Sequence, residues 1–223
     1  MTARVLIVED HVLVAVSLQL ALTARGWEVD TVDGPTAAAV IDHARSFQPQ
    51  SVLLDIDLGH GVGSGIDLIK PLRAVGADVV MLTAQTRRAV LAACLEQGAA
   101  GWIGKDAFLD EVVARLNDVR DGTPLIGCAV RDAMIDELRT ERAGLRHALS
   151  PFERLTAREQ TVLEALVQGL SAEEIAETQF VALTTVRSQI RAILQKLGVR
   201  SQLAAVACAN RVGWKRKPDL AAA

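Results

Sequence analysis

Tyrosine is absent from the 223 residues, and only four Phe and three Trp supply aromatic rings. Any core must therefore be mainly aliphatic, and the scarcity weighs against a broad aromatic platform for stacking on single-stranded nucleic acid. Cysteine is nearly as rare. Cys94, Cys128 and Cys208 are odd in number, far apart and without metal-ligand spacing, which fits buried thiols in a reducing compartment. Long apolar runs are missing too. The greasiest stretch, 12–22, is broken by Ser17 and Gln19 and is shorter than the roughly 20 residues of a membrane span. No basic segment followed by an apolar one opens the sequence, so a cytoplasmic location is expected. What remains is half apolar and 23% charged, a globular composition at a length that allows one large domain or two small ones.

The net charge of −3 conceals a polarity along the chain. Residues 1–124 carry 10 Lys/Arg against 16 Asp/Glu, residues 125–149 carry four of each, and residues 150–217 carry 10 against six. From Thr178 to Pro218 there are eight basic residues and no acid. An acidic half followed by a basic stretch predicts a different partner for each, although a basic tract alone is often only a solvated face.

The first 124 residues alternate short apolar runs with helical periodicity. Strands are predicted at 4–8, 28–32, 51–55, 78–82 and 101–103. Helices are predicted at about 11–25, 36–46, 65–75, 86–97 and 107–121. The near-continuous apolar character of 51–55 and 78–82 is that of parallel strands covered on both faces. Five strands alternating with five helices make a doubly wound α/β sheet, whose ligands bind beyond the carboxyl ends of the strands.

Those ends carry a coherent set of polar residues: Glu9 and Asp10 after the first strand, Asp55 at the end of the third, Thr83 after the fourth and Lys105 after the fifth. Three carboxylates, a hydroxyl and an ammonium suit phosphoryl transfer to a carboxylate. The nucleophile and the phosphoryl group are both negative, so a divalent cation must hold them together. Mg²⁺ accepts one or two carboxylates plus a phosphate, and the hydroxyl and ammonium can take the remaining phosphoryl oxygens.

With these residues in register, 1–122 resembles the receiver domain of bacterial two-component response regulators, a flavodoxin-like fold. The resemblance implies Asp55 as phospho-acceptor, and Glu9, Asp10 and the backbone carbonyl of Asp57 as partners of Asp55 around Mg²⁺. It also implies Thr83 as the switch hydroxyl, Lys105 as the invariant lysine and Trp102 as the rotating switch aromatic. One departure stands out. The loop after Asp57 reads Leu58-Gly59-His60-Gly61-Val62-Gly63-Ser64-Gly65, without the family's usual proline. If Gly65 takes the place of the family's glycine, this loop is two residues longer. Glycine raises backbone freedom, so the lifetime of the phosphate is the property most exposed to this change. His60 reads as a solvated loop histidine rather than a ligand.

Residues 125–149 read as a connecting helix, with Ile126, Val130, Met134, Leu138, Leu145 and Leu149 near helical spacing. Beyond it, Thr156-Ala157-Arg158-Glu159 and Ser171-Ala172-Glu173-Glu174 each have the form of a capping box. A third helix is predicted at about 183–197, ended by Gly198, and a fourth from Ser201 to Arg211. The third buries Val186, Ile190, Ile193, Leu194 and Leu197 and shows Thr184, Thr185, Arg187, Ser188 and Arg191 on its other face. Two helices joined by a turn, with arginines four apart on the exposed face of the second, make a helix-turn-helix. Lys196 and Arg200, near the helix end, are placed for phosphates.

Leu155 through Gln160, Gly169-Leu170-Ser171, Glu174-Ile175-Ala176, Thr185-Val186-Arg187 and Lys196-Leu197-Gly198-Val199 closely resemble the LuxR-type (NarL-type) DNA-binding domain. Ala182, where a capping serine is usual, and Gln189, where histidine is frequent, depart from it. The expected organisation is a receiver at 1–122, a helical linker at 123–151, a tetrahelical DNA-binding domain at 152–212 and a tail at 213–223. The resemblance implies a partner sensor histidine kinase, double-stranded DNA, a homodimer at least when phosphorylated, and no chemistry beyond self-phosphorylation on Asp55 and its hydrolysis.

The residues admit two other readings. Asp55-Ile56-Asp57 with Asp110 and Glu111 mimics a haloacid-dehalogenase-type phosphatase. The Asp-x-Asp pair would then sit on the third strand rather than the first, and Glu9 and Asp10 would be idle. A DNA-binding regulator whose receiver needs no phosphate is the other.

Overall fold

In the computed structural model the described residues are 3–32, 36–59 and 63–216. They form two compact units, Met1–Arg139 and Thr140–Ala223.

The first unit is built on five parallel strands, β1 (Arg4–Val8), β2 (Glu28–Val32), β3 (Ser51–Asp55), β4 (Asp78–Thr83) and β5 (Gly101–Gly104), in the order β2-β1-β3-β4-β5. Between and after them run α1 (Val12–Thr23), α2 (Ala37–Phe47), α3 (Gly65–Ala74), α4 (Arg88–Gln97) and α5 (Leu109–Arg120). Every residue of β3 is buried, because its apolar run feeds both faces of the sheet. Leu54 joins Leu6, Val8, Val52, Val79 and Met81 on one side. Leu53 joins Val5, Ile7, Val80 and Leu82 on the other. Burying each such side chain contributes about 1.5–3 kcal/mol. The expected strands and helices are all present, with β4 and β5 each one residue longer than the pattern predicted. Strand order turns at β1 and β3, and the crevice beyond their carboxyl ends is where this topology binds ligands.

Local chemistry fixes the entries and exits. Thr36 caps α2 by accepting from Ala39 N–H at 3.2 Å, and Gly98 ends α4 in the left-handed region at φ 106°. Gly65 is required for another reason: a Cβ there would collide with the carbonyl oxygen of Asp55. It therefore packs the loop after β3 directly against the end of that strand. His60 lies outside the described residues.

A 26-residue helix, α6 (Cys128–Glu153), follows. The unit boundary falls within it, at Arg139, whereas the sequence pattern placed a separate linker at 123–151. Met134 and Leu138 are buried, but Val130 and Leu145 are exposed. Cys94 is buried, Cys208 is half-buried, and Cys128, the first residue of α6, is exposed, so the expectation of three buried thiols holds only for Cys94.

The second unit continues with α7 (Ala157–Val167), α8 (Ala172–Thr178), α9 (Leu183–Leu197) and α10 (Gln202–Arg211). Both expected capping boxes are formed: Thr156 and Glu159 bond reciprocally, as do Ser171 and Glu174. Ser201 caps α10, whereas Ala182 gives α9 no side-chain cap. The core is Phe152, Leu163, Ile175, Val186, Ile190, Ile193 and their neighbours. Among the described residues no helix is long and apolar enough to cross a membrane.

Candidate phosphoryl site and nucleic-acid face

The turn after β1 delivers Glu9 and Asp10, β3 ends on Asp55, β4 ends on Thr83, and Lys105 follows β5. Because parallel strands all point their carboxyl ends the same way, these distant positions meet. Lys105 Nζ donates to Asp55 Oδ2 and to Glu9 Oε1, each at 2.9 Å. It also lies 2.7 Å from Glu9 Oε2, an atom that receives no aligned hydrogen bond. Asp55 Oδ1 accepts from the Ile56 N–H at 2.7 Å. Asp55, Glu9 and Thr83 are each at least 96% buried. The Thr83 hydroxyl oxygen accepts from the Gln85 N–H at 2.9 Å, which leaves its own proton free to donate.

Burial holds the Asp55 carboxyl above its ordinary value, with Glu9 pushing the same way and Lys105 opposing. Burial would lower Lys105, but its bonds to Glu9 and Asp55 outweigh that and raise it. A cavity of about 400 Å³ opens on Asp55, Asp57, Thr83, Gln85 and Lys105. Carboxylate oxygens of Glu9, Asp10 and Asp55 and a ring nitrogen of His11 lie within 4.8 Å of one another, a group able to hold a cation. Two buried carboxylates, Glu9 and Asp55, share one ammonium with exposed Asp10 beside them, which leaves negative charge in excess, and hard oxygen donors with an unaligned Glu9 oxygen fit Mg²⁺. Asp57, exposed and bridged by its backbone to Ser64, contributes no side chain to this group.

His11 was missed by sequence reasoning. Its Nδ1 lies 2.8 Å from both Glu9 Oε1 and Asp10 Oδ1, and the Glu9 bond first of all raises its pKa. Its position directly after the acidic pair was the available signal. Trp102 is half-buried and borders a second cavity of about 640 Å³ with Thr83, Leu91 and Lys105. The acids required by the phosphatase reading lie elsewhere. Asp110 and Glu111 sit in the first turn of α5, where Asp110 pairs with Arg25, and neither joins the carboxylate group.

In the second unit, Thr184, Thr185, Arg187, Ser188 and Arg191 are exposed on α9, and Arg200 is exposed beyond it, opposite buried Val186, Ile190 and Ile193. Arg187 Nη2 donates to Glu173 Oε1 at 2.9 Å. Lys196 departs from its expected place among the outward cations. Its ammonium donates to both oxygens of the buried Glu159, at 2.9 and 2.6 Å. The capping glutamate of α7 is thus also the anchor of α9, and a capping box read alone does not reveal that second partner.

Two family models match the chain: the response regulator receiver domain over residues 5–117, and the bacterial regulatory proteins of the luxR family over residues 153–209. The nitrate/nitrite response regulator protein NarP of Escherichia coli (strain K12) is 35% identical over 91% of this chain and 92% of its own length. The transcriptional regulatory protein MctR of Rhizobium johnstonii is 34% identical over 88% of this chain and 87% of its own. Among solved structures, a LuxR-family two-component response regulator from Aurantimonas sp. SI85-9A1 superposes with a TM-score of 0.51 at 22% identity, covering 63% of this chain and 99% of that one. That likeness speaks for the fold.

Proposed function

The chain belongs to the two-component response regulators that join a receiver domain to a LuxR-type DNA-binding domain, and from that premise we propose that phosphorylation of Asp55 by a sensor histidine kinase switches its binding to duplex DNA. The observation that carries this reading is the Lys105 ammonium bridging buried Asp55 and Glu9 at the mouth of the β1/β3 crevice.

Glu9, Asp10 and Asp55, with the backbone carbonyl of Asp57, would hold Mg²⁺. When bound, it screens the repulsion between the carboxylate and the incoming phosphoryl oxygens. Asp55 supplies the attacking oxygen. A phosphorus–oxygen bond forms there as the phosphorus–nitrogen bond of the kinase's phosphohistidine breaks. The Ile56 N–H fixes Oδ1 and Lys105 fixes Oδ2, so the carboxylate is held in one orientation for attack. Afterwards Lys105 turns its ammonium to one phosphoryl oxygen and Thr83 donates its hydroxyl proton to another. Drawing Thr83 inward frees the space toward which Trp102 rotates.

Phosphorylation favours a homodimer, and the exposed apolar stripe Val12, Leu13, Val16 and Leu20 of α1 supports self-association of this unit. Two copies of α9 then enter the major groove at repeated half-sites. Arg187, Ser188 and Arg191 face the bases, Thr184 and Thr185 lie at the helix start, and Arg200 meets a phosphate. Lys196 is assigned instead to holding α9 on α7. We place the receiver at 1–122, the DNA-binding domain at 152–212, and the protein in the cytoplasm.

The test uses the full chain, Mg²⁺ and acetyl phosphate, with the label mapped by mass spectrometry and binding read on genomic duplex fragments. Label on Asp55 and tighter binding are expected. Equal binding with and without label would favour the regulator whose receiver needs no phosphate.

A further inference from the structure

His11 brings a different kind of donor atom to the carboxylate group, and the start of α1 fixes where it stands. The residue is the N-cap of α1. Its carbonyl oxygen accepts from the N–H groups of Val14 and Ala15 at 2.9 and 3.1 Å, and its own N–H donates to Glu9 Oε1 at 3.0 Å. The ring then turns back on the acidic pair. Nδ1 lies 2.8 Å from Glu9 Oε1 and 2.8 Å from Asp10 Oδ1, and His11 shares the wall of the 400 Å³ cavity with Asp55, Asp57 and Lys105.

These spacings suit neighbouring ligands of one ion. Donors at right angles around a cation, each about 2.1 Å from it, stand about 3 Å apart, and opposite ones about 4.2 Å. Glu9, Asp10, His11 and Asp55 each offer one atom within 4.8 Å of the other three. A second observation does not depend on the ring. The Glu9 side chain is 1% exposed, yet its Oε2 receives no aligned hydrogen bond, although Lys105 Nζ lies 2.7 Å away. A buried carboxylate oxygen left in that condition calls for a further cationic partner. Space beside Asp10 is kept by glycine: a Cβ on Gly59, at φ 60°, would come within 3.1 Å of Asp10 Oδ2.

We propose that His11 is a nitrogen ligand of this site and gives it a preference for a borderline divalent ion, of the Co²⁺, Ni²⁺ or Zn²⁺ class, over Mg²⁺. Carboxylate oxygens are hard donors and serve either kind of ion. An imidazole nitrogen adds little for Mg²⁺ but suits the later first-row ions, whose affinity for nitrogen-containing sites rises along the series. The ion takes the place of the proton between Nδ1 and Glu9, and that proton passes to solvent. Mg²⁺ uses the same carboxylates and leaves the ring aside. The proposal rests on the reading of Glu9, Asp10 and Asp55 as a cation site and adds to it a ligand and a preference.

The probe is Co²⁺, whose visible absorption reports nitrogen ligation, added to the full chain and then displaced by Mg²⁺ so that only the shared site is counted. Affinities for both ions are read by calorimetry. His11→Ala and His11→Gln are each expected to lower the ratio of Co²⁺ to Mg²⁺ affinity by about tenfold or more, mainly through Co²⁺, and to move the absorption toward that of an all-oxygen site. Gln keeps a donor for the two carboxylates but no ring nitrogen, so it separates ligation from hydrogen bonding. The His11 side chain is 66% exposed and makes no cap hydrogen bond, so both variants should fold. Asp10→Asn is expected to weaken both ions. A parental ratio in either His11 variant, with Mg²⁺ still bound, would overturn the proposal and leave the cation site standing. Co²⁺ that Mg²⁺ does not displace would overturn it too, by placing that ion elsewhere. If Mg²⁺ does not bind, or Asp10→Asn weakens neither ion, the cation site itself falls and the proposal with it.

Discussion

Each unit buries a carboxylate against a lysine, and the two pairs differ in what else reaches them. Asp55 shares Lys105 with Glu9, and the backbone N–H groups that reach it, Ile56 first, do not offset its burial. Burial wins there, and its carboxyl stands above the ordinary range. Glu159 has both oxygens on Lys196 and a further hydrogen bond from the Thr156 N–H at 2.7 Å. Burial pushes that carboxyl up as well, but Lys196 and Thr156 outweigh it and hold it below the ordinary range. An underserved carboxylate beside a cavity gains from a new partner and is fit to react. A saturated one has nothing to gain and fixes two helices in place. The reacting end of this protein is built on deficiency and the reading end on closure.

The largest expected effect breaks the symmetry outright. Asp55→Asn keeps the shape but removes the nucleophile, and is expected to abolish labelling by acetyl phosphate, read by intact mass. Glu159→Gln is expected to label as the parent does. Full labelling of Asp55→Asn, mapped to another residue, would mean that the underserved pair is not the reacting one.

Next in size are two cations of α9 with different surroundings, Lys196 on buried Glu159 and exposed Arg191. Lys196→Ala leaves a buried carboxylate without its cation and is expected to cost about 2 kcal/mol of stability, seen as a lowered unfolding midpoint of the second unit. Its effect on the salt dependence of DNA binding should be slight. Arg191→Ala is expected to do the reverse, leaving stability within about 0.5 kcal/mol while relaxing preference at one base position by about 1–3 kcal/mol. A lost salt slope without lost stability in Lys196→Ala would return that residue to the DNA.

Most of this architecture was legible in the sequence. The strand runs, the capping boxes and the polar residues at strand ends depend on local spacing, and local spacing is what a sequence displays. The Glu159–Lys196 pair, 37 residues apart, depends on how α7 meets α9, and no periodicity encodes it. His11 escaped for a different reason. A histidine beside two acids is unremarkable until the turn after β1 folds its ring back on them. The apolar positions of α6 announced a connecting helix but not the surface of α4 on which its first half packs.

A smaller effect follows from the opposed pKa shifts. Glu159 has its folded value below the ordinary 4.5, so its contribution to stability is complete above that pH and is lost as pH falls through the folded value. Urea midpoints of the second unit between pH 5 and pH 3 are expected to drop, and Glu159→Gln should flatten that limb. For Asp55 the sign is reversed. Its folded value lies above 3.8, so the ionised group disfavours folding at neutral pH. Asp55→Asn should therefore stabilise the first unit slightly, where Glu159→Gln destabilises the second.

The smallest effect concerns how long the phosphoryl group stays. Asp57 and Gln85 both border the cavity over Asp55, two residues beyond the nucleophile and the switch hydroxyl respectively. The Gln85 side-chain oxygen is engaged by the Arg87 N–H at 3.1 Å, so the loop after β4 holds it in one orientation. The Gln85 backbone, not its side chain, bonds the Thr83 hydroxyl. Truncating the side chain therefore leaves the switch contact intact and changes only the approach of water. Gln85→Ala and Asp57→Ala are each expected to alter the dephosphorylation rate by about two- to tenfold, a barrier change of no more than roughly 1.4 kcal/mol, with little change in Mg²⁺ affinity read by Trp fluorescence. Half-lives equal to the parent's in both variants would mean that the glycine-rich loop, or nothing local, sets the access of water.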